Sequence, residues 1–566
     1  MSKRIRLVLA ALVASIGLFA GLLQPSASLS KSQPFSAPSL CPPCLRGELF
    51  GQGASRHAQR PSASANAARN AALVAATETV LKETSEIRQL SIMRPVHSST
   101  QTRAEIERMI IKNLDEEVTP ADLHADEVTL KKLGLAPADF QYRAMMIRLL
   151  TEQVAGYYDP KTREFHLADW IDLDGQKPIM AHELTHALQD QHFNLRRFEP
   201  WPKGDSDAEL AAHSLIEGDA TLTMMLYVAN DPMRALAFLK SLGANGLSSA
   251  ELEKAPRALR ETLLFPYQEG TDWTRTLYKQ GGWDRVSKAF TGLPQSTEQI
   301  LHPDKYFARE APVKVSLPDI TNLLNARGAQ ASEVRDQRSV VSGFAGSADI
   351  LSAMSRTSLR GSLCSLCASV VNVFPSSSTT ETQSITEASQ RALSFRPQPS
   401  AKREQFWSAA TRRRFSLQMN HAQVARASWK RIDYDVNGEW GFYLILDQFL
   451  KSPGESRRAA AGWGGDRYEV YEGPKGEVLI ASLSTWDTER DAREFFDAFV
   501  KRTALRYPDA TPLPSSDPRP LTPDSRSFHT SEGTVVIELR GSRVLTLEGV
   551  PEGLNSNAMI KALWQW

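Results

Sequence analysis

Pro178-Ile-Met-Ala-His182-Glu183-Leu-Thr-His186 is the stretch that decides how this chain is read. Ala181, Leu184, Ala187, Leu188 and Gln189 around it favour a helix. Pro178 is expected at the first helical position, where its missing N–H costs nothing. Residues four apart share a helix face, so His182 and His186 point the same way. Two imidazoles at that spacing can hold one Zn²⁺, and Glu183 then stands where it can take a proton from a water. With 11 His in 566 residues, such a match arises by chance at roughly one in a hundred. The plainer alternative is an amphipathic helix with two surface histidines and a solvated Glu.

A second polar stripe lies downstream. Ser206-Asp-Ala-Glu209 is expected to open a helix as a capping box, and the helix pattern runs on through Leu226. Glu209, His213 and Glu217 fall four apart on this otherwise apolar helix. If the stripe is buried it needs partners, and a metal is one; a solvated face is the alternative. His192, ten residues after His182, is a further candidate ligand. Gln189 between them favours continued helix, on which His192 points away from His182.

His182-Glu-Leu-Thr-His186 followed about thirty residues later by Glu217-Gly-Asp-Ala220 resembles the gluzincin branch of the zincin metallopeptidases, the peptidase MA type. The resemblance implies that His182, His186 and Glu217 hold Zn²⁺ and that Glu183 is the catalytic base. It also implies a peptide or protein substrate. Gln153-Val-Ala-Gly-Tyr-Tyr-Asp-Pro160, the run His182–His192 and the run Ser296–Tyr306 are similar to uncharacterised secreted bacterial proteins of this type. That similarity covers about 105–325 and 428–566. The chain departs from the metzincin pattern, which needs a Gly where Gln189 stands.

The fold class that follows is α+β. A mainly helical, zincin-like domain over 67–326 carries a small edge-strand sheet, read from Gly156–Leu167 as two strands around an Asp-Pro turn. An extended substrate would lie along that hairpin by β-addition. Tyr157, Tyr158, Tyr278, His302 and Tyr306 are candidate donors to a developing oxyanion. A small C-terminal α+β domain over 428–566 is expected from helices at Glu439–Leu450 and Thr488–Tyr507. Its strands are expected at Asp466–Glu472, Glu477–Trp486, Thr534–Arg540 and Arg543–Gly549. Residues 327–427, rich in Ser, Arg and Thr, read as a mostly disordered insertion.

Lys3, Arg4 and Arg6 before the apolar run Leu7–Leu23 read as a secretory signal over 1–28, with a membrane anchor as the alternative. The body is therefore expected to be exported, periplasmic or extracellular, with no other membrane segment. A linker follows over 29–66. Cys41-Pro-Pro-Cys44 and Cys364-Ser-Leu-Cys367 sit in low-complexity sequence and read as local disulfides or incidental thiols. A net charge of +1 gives no argument for nucleic acid. Two other functions fit the same motif. One is hydrolysis of a non-peptide amide. The other is a scaffold whose zinc is closed by a fourth protein ligand such as Glu209 or His213.

Overall fold

The computed structural model describes residues 63–170, 173–198, 201–245, 250–326, 428–513 and 524–565. The stretches expected to be a signal segment and an insertion, most of the expected linker and all four cysteines lie outside the described residues. Among the described residues, no helix is long and apolar enough to cross a membrane.

The N-terminal half is built of helices around a three-stranded sheet. α1 (Ala63–Arg88) starts four residues before residue 67, where the domain is expected to begin. β1 (His97–Gln101) leads into α2 (Arg103–Glu117), where Thr102 and Glu105 form a capping box. α3 (Pro120–Lys132) opens the same way on Thr119 and Asp122, with Pro120 at its start. α4 (Tyr142–Gln153) then delivers the chain to β2 (Gly156–Asp159) and β3 (Glu164–Ala168). β2 and β3 are antiparallel, with Tyr158 opposite Phe165. β1 joins the far side of β3 in parallel, which leaves β2 as an outer strand.

The next helices carry the motifs. α5 (Leu173–Phe193) holds the H-E-x-x-H run and continues unbroken past Gln189. Pro178 lies inside this helix rather than at its first position, so α5 forgoes one ladder bond in its second turn. α6 (Ser206–Ala229) follows. Its N-cap is Asp205, which accepts a bond from the Ala208 N–H, so the capping box expected on Ser206 and Glu209 does not form and the cap lies one residue earlier. α7 (Pro232–Asn245), α8 (Ala250–Lys254) and the long α9 (Arg257–Ala289) come next. The short α10 (Thr297–Leu301) and α11 (Pro303–Ala308) complete this half.

The C-terminal half is a seven-stranded antiparallel sheet in the order β4-β5-β6-β10-β9-β8-β7. Its central strands are β5 (Trp463–Glu472), β6 (Val478–Trp486), β9 (Gly533–Arg540) and β10 (Arg543–Val550), close to the expected bounds. Gly541, at φ +59°, makes the β9–β10 turn. The polar outer strands β4 (Lys430–Asp435), β7 (Thr511–Pro512) and β8 (Ser525–Thr530) had no clear period in sequence. Leu479, Ala481 and Leu483, two apart on β6, bury one face of the sheet with Val315, Ile320 and Leu324. α12 (Gly438–Leu450), α13 (Pro453–Ala460) and α14 (Glu489–Arg506) lie by the other face, and α15 (Ser556–Leu563) joins the first.

The two halves share one core. Leu215 of α6, Trp273 and Leu277 of α9, Trp440 and Leu446 of α12, and Phe495 of α14 pack in a single buried cluster. Residues before and after the insertion accordingly belong to one compact unit. The chain ends that flank the insertion meet: the Asn325 side chain donates to Trp429 O at 3.0 Å and accepts from Trp429 N at 2.8 Å. Deletion of 330–426 with the ends joined is therefore expected to leave a cooperative melt within about 5 °C of the parent. Loss of soluble protein on that deletion would mean that the segment contributes to a core.

Candidate metal centre

α5 and α6 bring three side chains to one point. His186 Nε2 lies 3.1 Å from His182 Nε2, and Glu217 Oε2 lies 3.2 Å from His182 Nε2 and 3.5 Å from His186 Nε2. Ligands at bonds of about 2.0–2.1 Å on tetrahedral vertices stand roughly 3.3–3.4 Å apart. The three donor atoms therefore span one face of a tetrahedron around a single ion. Among the described residues, this is the group of His, Cys, Asp and Glu side chains able to hold a metal.

His186 is held in the correct form by a chain of buried hydrogen bonds, whereas His182 Nδ1 is buried without a hydrogen-bond partner. Gln189 Nε2 donates to Asp219 Oδ2 at 2.9 Å and to Ile216 O at 3.0 Å. Both partners can only accept, so the Gln189 amide nitrogen must face them and its oxygen must face His186. His186 Nδ1, 2.9 Å from that oxygen, is then the N–H donor, and Nε2 keeps its lone pair for a metal. Asp219 is anchored in turn by Arg88 of α1, a fully buried ion pair. Arg88 also bonds Ser287 Oγ and stacks over Trp283. Gln189→Leu is expected to lower metal affinity by about ten- to a hundredfold, read by chelator competition. Unchanged affinity would remove Gln189 from the site.

Charge at the triad is shared. Burial pulls His186 down, but Glu217 outweighs it and lifts the imidazole to about 9. Burial pushes Glu217 up, but His186 outweighs it and brings the carboxylate to about 2. The buried Glu217 carboxylate thus calls for one positive charge beside it, the kind of charge a cation supplies. Glu183 is buried beside them, and burial raises its carboxyl to about 8. Its Oε2 accepts the Tyr158 N–H of β2 at 3.0 Å. Its Oε1 is buried without a hydrogen-bond partner. A polar oxygen left bare in the interior is costly unless a hydrogen-bond donor occupies the space before it.

A residue the sequence did not single out completes the site. Tyr267 of α9 is buried, its ring 6.1 Å from that of His182, and its phenol bonds Glu217. Two glycines bring α9 this close. A Cβ on Gly218 would stand 2.2 Å from Gly270 O, and one on Gly270 would stand 2.3 Å from Ser214 O. Gly218 therefore lets α9 cross α6 immediately beside Glu217, and Tyr267 is one turn before Gly270. No local pattern marks Tyr267, because its partner lies on another helix.

The other candidates are placed elsewhere. His192 Nε2 bonds Ser91 O at 2.8 Å, outside the triad. Glu209 and His213 are buried on α6 but are not part of the metal-competent group. Tyr157 and Tyr158 donate to Gln101 and Asp190. Tyr278 packs on Trp283, and Tyr306 donates to Gly292 O. His302 pairs with Glu439 at 3.0 Å.

One family model matches the chain. It is a domain of unknown function, DUF8575, over residues 422–557. No curated protein and no solved structure matches. The matched stretch carries the seven-stranded sheet and none of the triad. It nevertheless supports the triad from behind. Asp435 Oδ1 accepts the Ser206 N–H at 2.8 Å, satisfying a free donor at the start of α6. Gly438, at φ +71°, lies so close to Asp207 that a Cβ would stand 1.7 Å from its Oδ1. Asp207 in turn accepts both the N–H and the hydroxyl of Thr297. The run Ser296–Tyr306 thus clamps the helix that carries Glu217.

Proposed function

We propose that this protein is an exported zinc metallopeptidase of zincin type. The observation that carries the proposal is the tetrahedral spacing of His182 Nε2, His186 Nε2 and Glu217 Oε2 beside a buried, partnerless Glu183 Oε1. Two imidazoles and one carboxylate suit Zn²⁺ and leave a fourth position open. A zinc ion held there supplies Lewis acidity, easing ionisation of a water and polarising the scissile carbonyl. Glu183 Oε1 takes the proton of the attacking water and later delivers it to the leaving amine. The Tyr158 N–H on Oε2 keeps that carboxylate aimed. An extended polypeptide would lie along β2, the outer strand, whose Tyr158 already borders Glu183.

Burial favours a second reading. The His182, His186 and Glu217 side chains are 0, 5 and 1 % exposed. A polypeptide reaches them only after a neighbouring element moves, and a metal sealed in this way would also serve to fasten α5 to α6. Purified protein would be loaded with Zn²⁺, analysed for metal, and incubated with an unfolded polypeptide and with a panel of small amides. Chelator-sensitive peptide fragments support the peptidase. Stoichiometric zinc with a higher melting temperature and no cleavage of any substrate would assign the metal to structure. Cleavage of small amides without cleavage of the polypeptide would identify a non-peptide hydrolase.

A further inference from the structure

Four arginines converge on one concavity at the far end of α5. Arg94, Arg163, Arg196 and Arg197 line an open cavity of about 460 Å³ with Asp190, Gln191 and Asn194. They come from three segments distant in sequence. Arg94 precedes β1, Arg163 closes the β2–β3 turn at φ +63°, and Arg196 and Arg197 lie in the 3₁₀ turn Leu195–Phe198. One carboxylate faces them, and it is already engaged. Asp190 takes the Arg94 guanidinium at 2.6 Å, the Tyr158 hydroxyl at 3.1 Å and the Leu195 N–H at 3.2 Å. Arg197 donates to a neutral acceptor, Phe290 O. Among the described residues, no ion pair engages Arg163, Arg196 or Arg197, and all three are exposed.

A solvated charge run is contiguous and points outward along one element. This group is not contiguous and encloses a volume. Part of its charge answers the partial negative end of α5, but that amounts to about half an elementary charge against three unpaired guanidinium ions. Guanidinium groups present paired N–H donors that match carboxylate and phosphate oxygens, and several on one concave surface focus the field on an anion.

We infer that this cavity is a binding site for a ligand carrying two or more clustered negative charges, recognised by Arg163, Arg196 and Arg197. The shared chemistry is a set of carboxylate or phosphoryl oxygens, supplied by an acidic polypeptide segment or by a free oxyanion. The site lies apart from the metal triad and does not require the triad to be catalytic.

Calorimetry on the full chain at low ionic strength tests this, with inorganic pyrophosphate and a tetraglutamate peptide as probes. Saturable binding of at least one is expected, weakening as salt is added. The variant Arg163→Ala plus Arg196→Ala is expected to weaken it by about tenfold per guanidinium removed. Both side chains are exposed, so the variant's melting temperature should match the parent and exclude misfolding as the cause. Tighter binding of the peptide assigns the ligand to a polypeptide, and tighter binding of pyrophosphate assigns it to a free oxyanion. Failure of both probes to bind, or equal affinity in the double variant, overturns the inference.

Discussion

Glu183→Gln is expected to keep about one metal ion per chain and to lose hydrolysis by roughly two decades or more. The amide nearly matches the carboxylate in size and can still accept the Tyr158 N–H through its oxygen. It cannot accept the water proton at the second position. The donor atoms His182 Nε2, His186 Nε2 and Glu217 Oε2 are untouched by the change. Elemental analysis and turnover on a denatured protein substrate, measured on the same preparation, separate the two roles. Full activity in the variant would sink the mechanism, whereas loss of metal would make Glu183 a ligand or a structural element.

Glu217→Ala against His192→Ala gives the second large contrast. Removing Glu217 takes away one of three donors and also strands the Tyr267 phenol, so metal affinity should fall by about a hundredfold or more, with activity following. Removing His192 deletes one bond to Ser91 O near the surface, and stability should change by about 1 kcal/mol or less with the metal retained. The reverse pattern, read by chelator competition, would show that the helix does not continue through Gln189 as it stands here. The pair is informative because both residues have a plausible spacing in sequence and only one of them meets His182 in space.

What could be read from the sequence follows how local each determinant is. The facing of His182 and His186 depends only on helix period, and Glu217 is marked by a Gly-Asp-Ala tail. The purpose of that tail is invisible without the partner helix. Gly218 is required by the carbonyl of Gly270, and Asp219 by Gln189 and Arg88. Gln189 entered the argument only as a helix former, yet its amide orders the His186 ring. Asp205 and Ser206 are both good caps, and the choice between them is made by Asp435, more than two hundred residues away, which engages the Ser206 N–H. β1, His-Ser-Ser-Thr-Gln, has no apolar alternation to reveal it. In the C-terminal half the alternation of β5, β6, β9 and β10 was plain, and those strands were placed to within a few residues. That the two halves share a core could not be read across a break of about a hundred residues.

The hold of Asp435 and Gly438 on the start of α6 also links metal affinity to folding. If Glu217 is in place only while the sheet is folded, every protein molecule with an unfolded C-terminal half is also a poor chelator. Metal and sheet then act as reciprocal ligands of each other, and added ion should slow amide exchange in strands that never approach it. By the same reciprocity, a substitution deep in β5 or β6 should appear as a weaker metal constant. The family region of unknown function would then be thermodynamically part of the centre, although it contributes no donor atom to it.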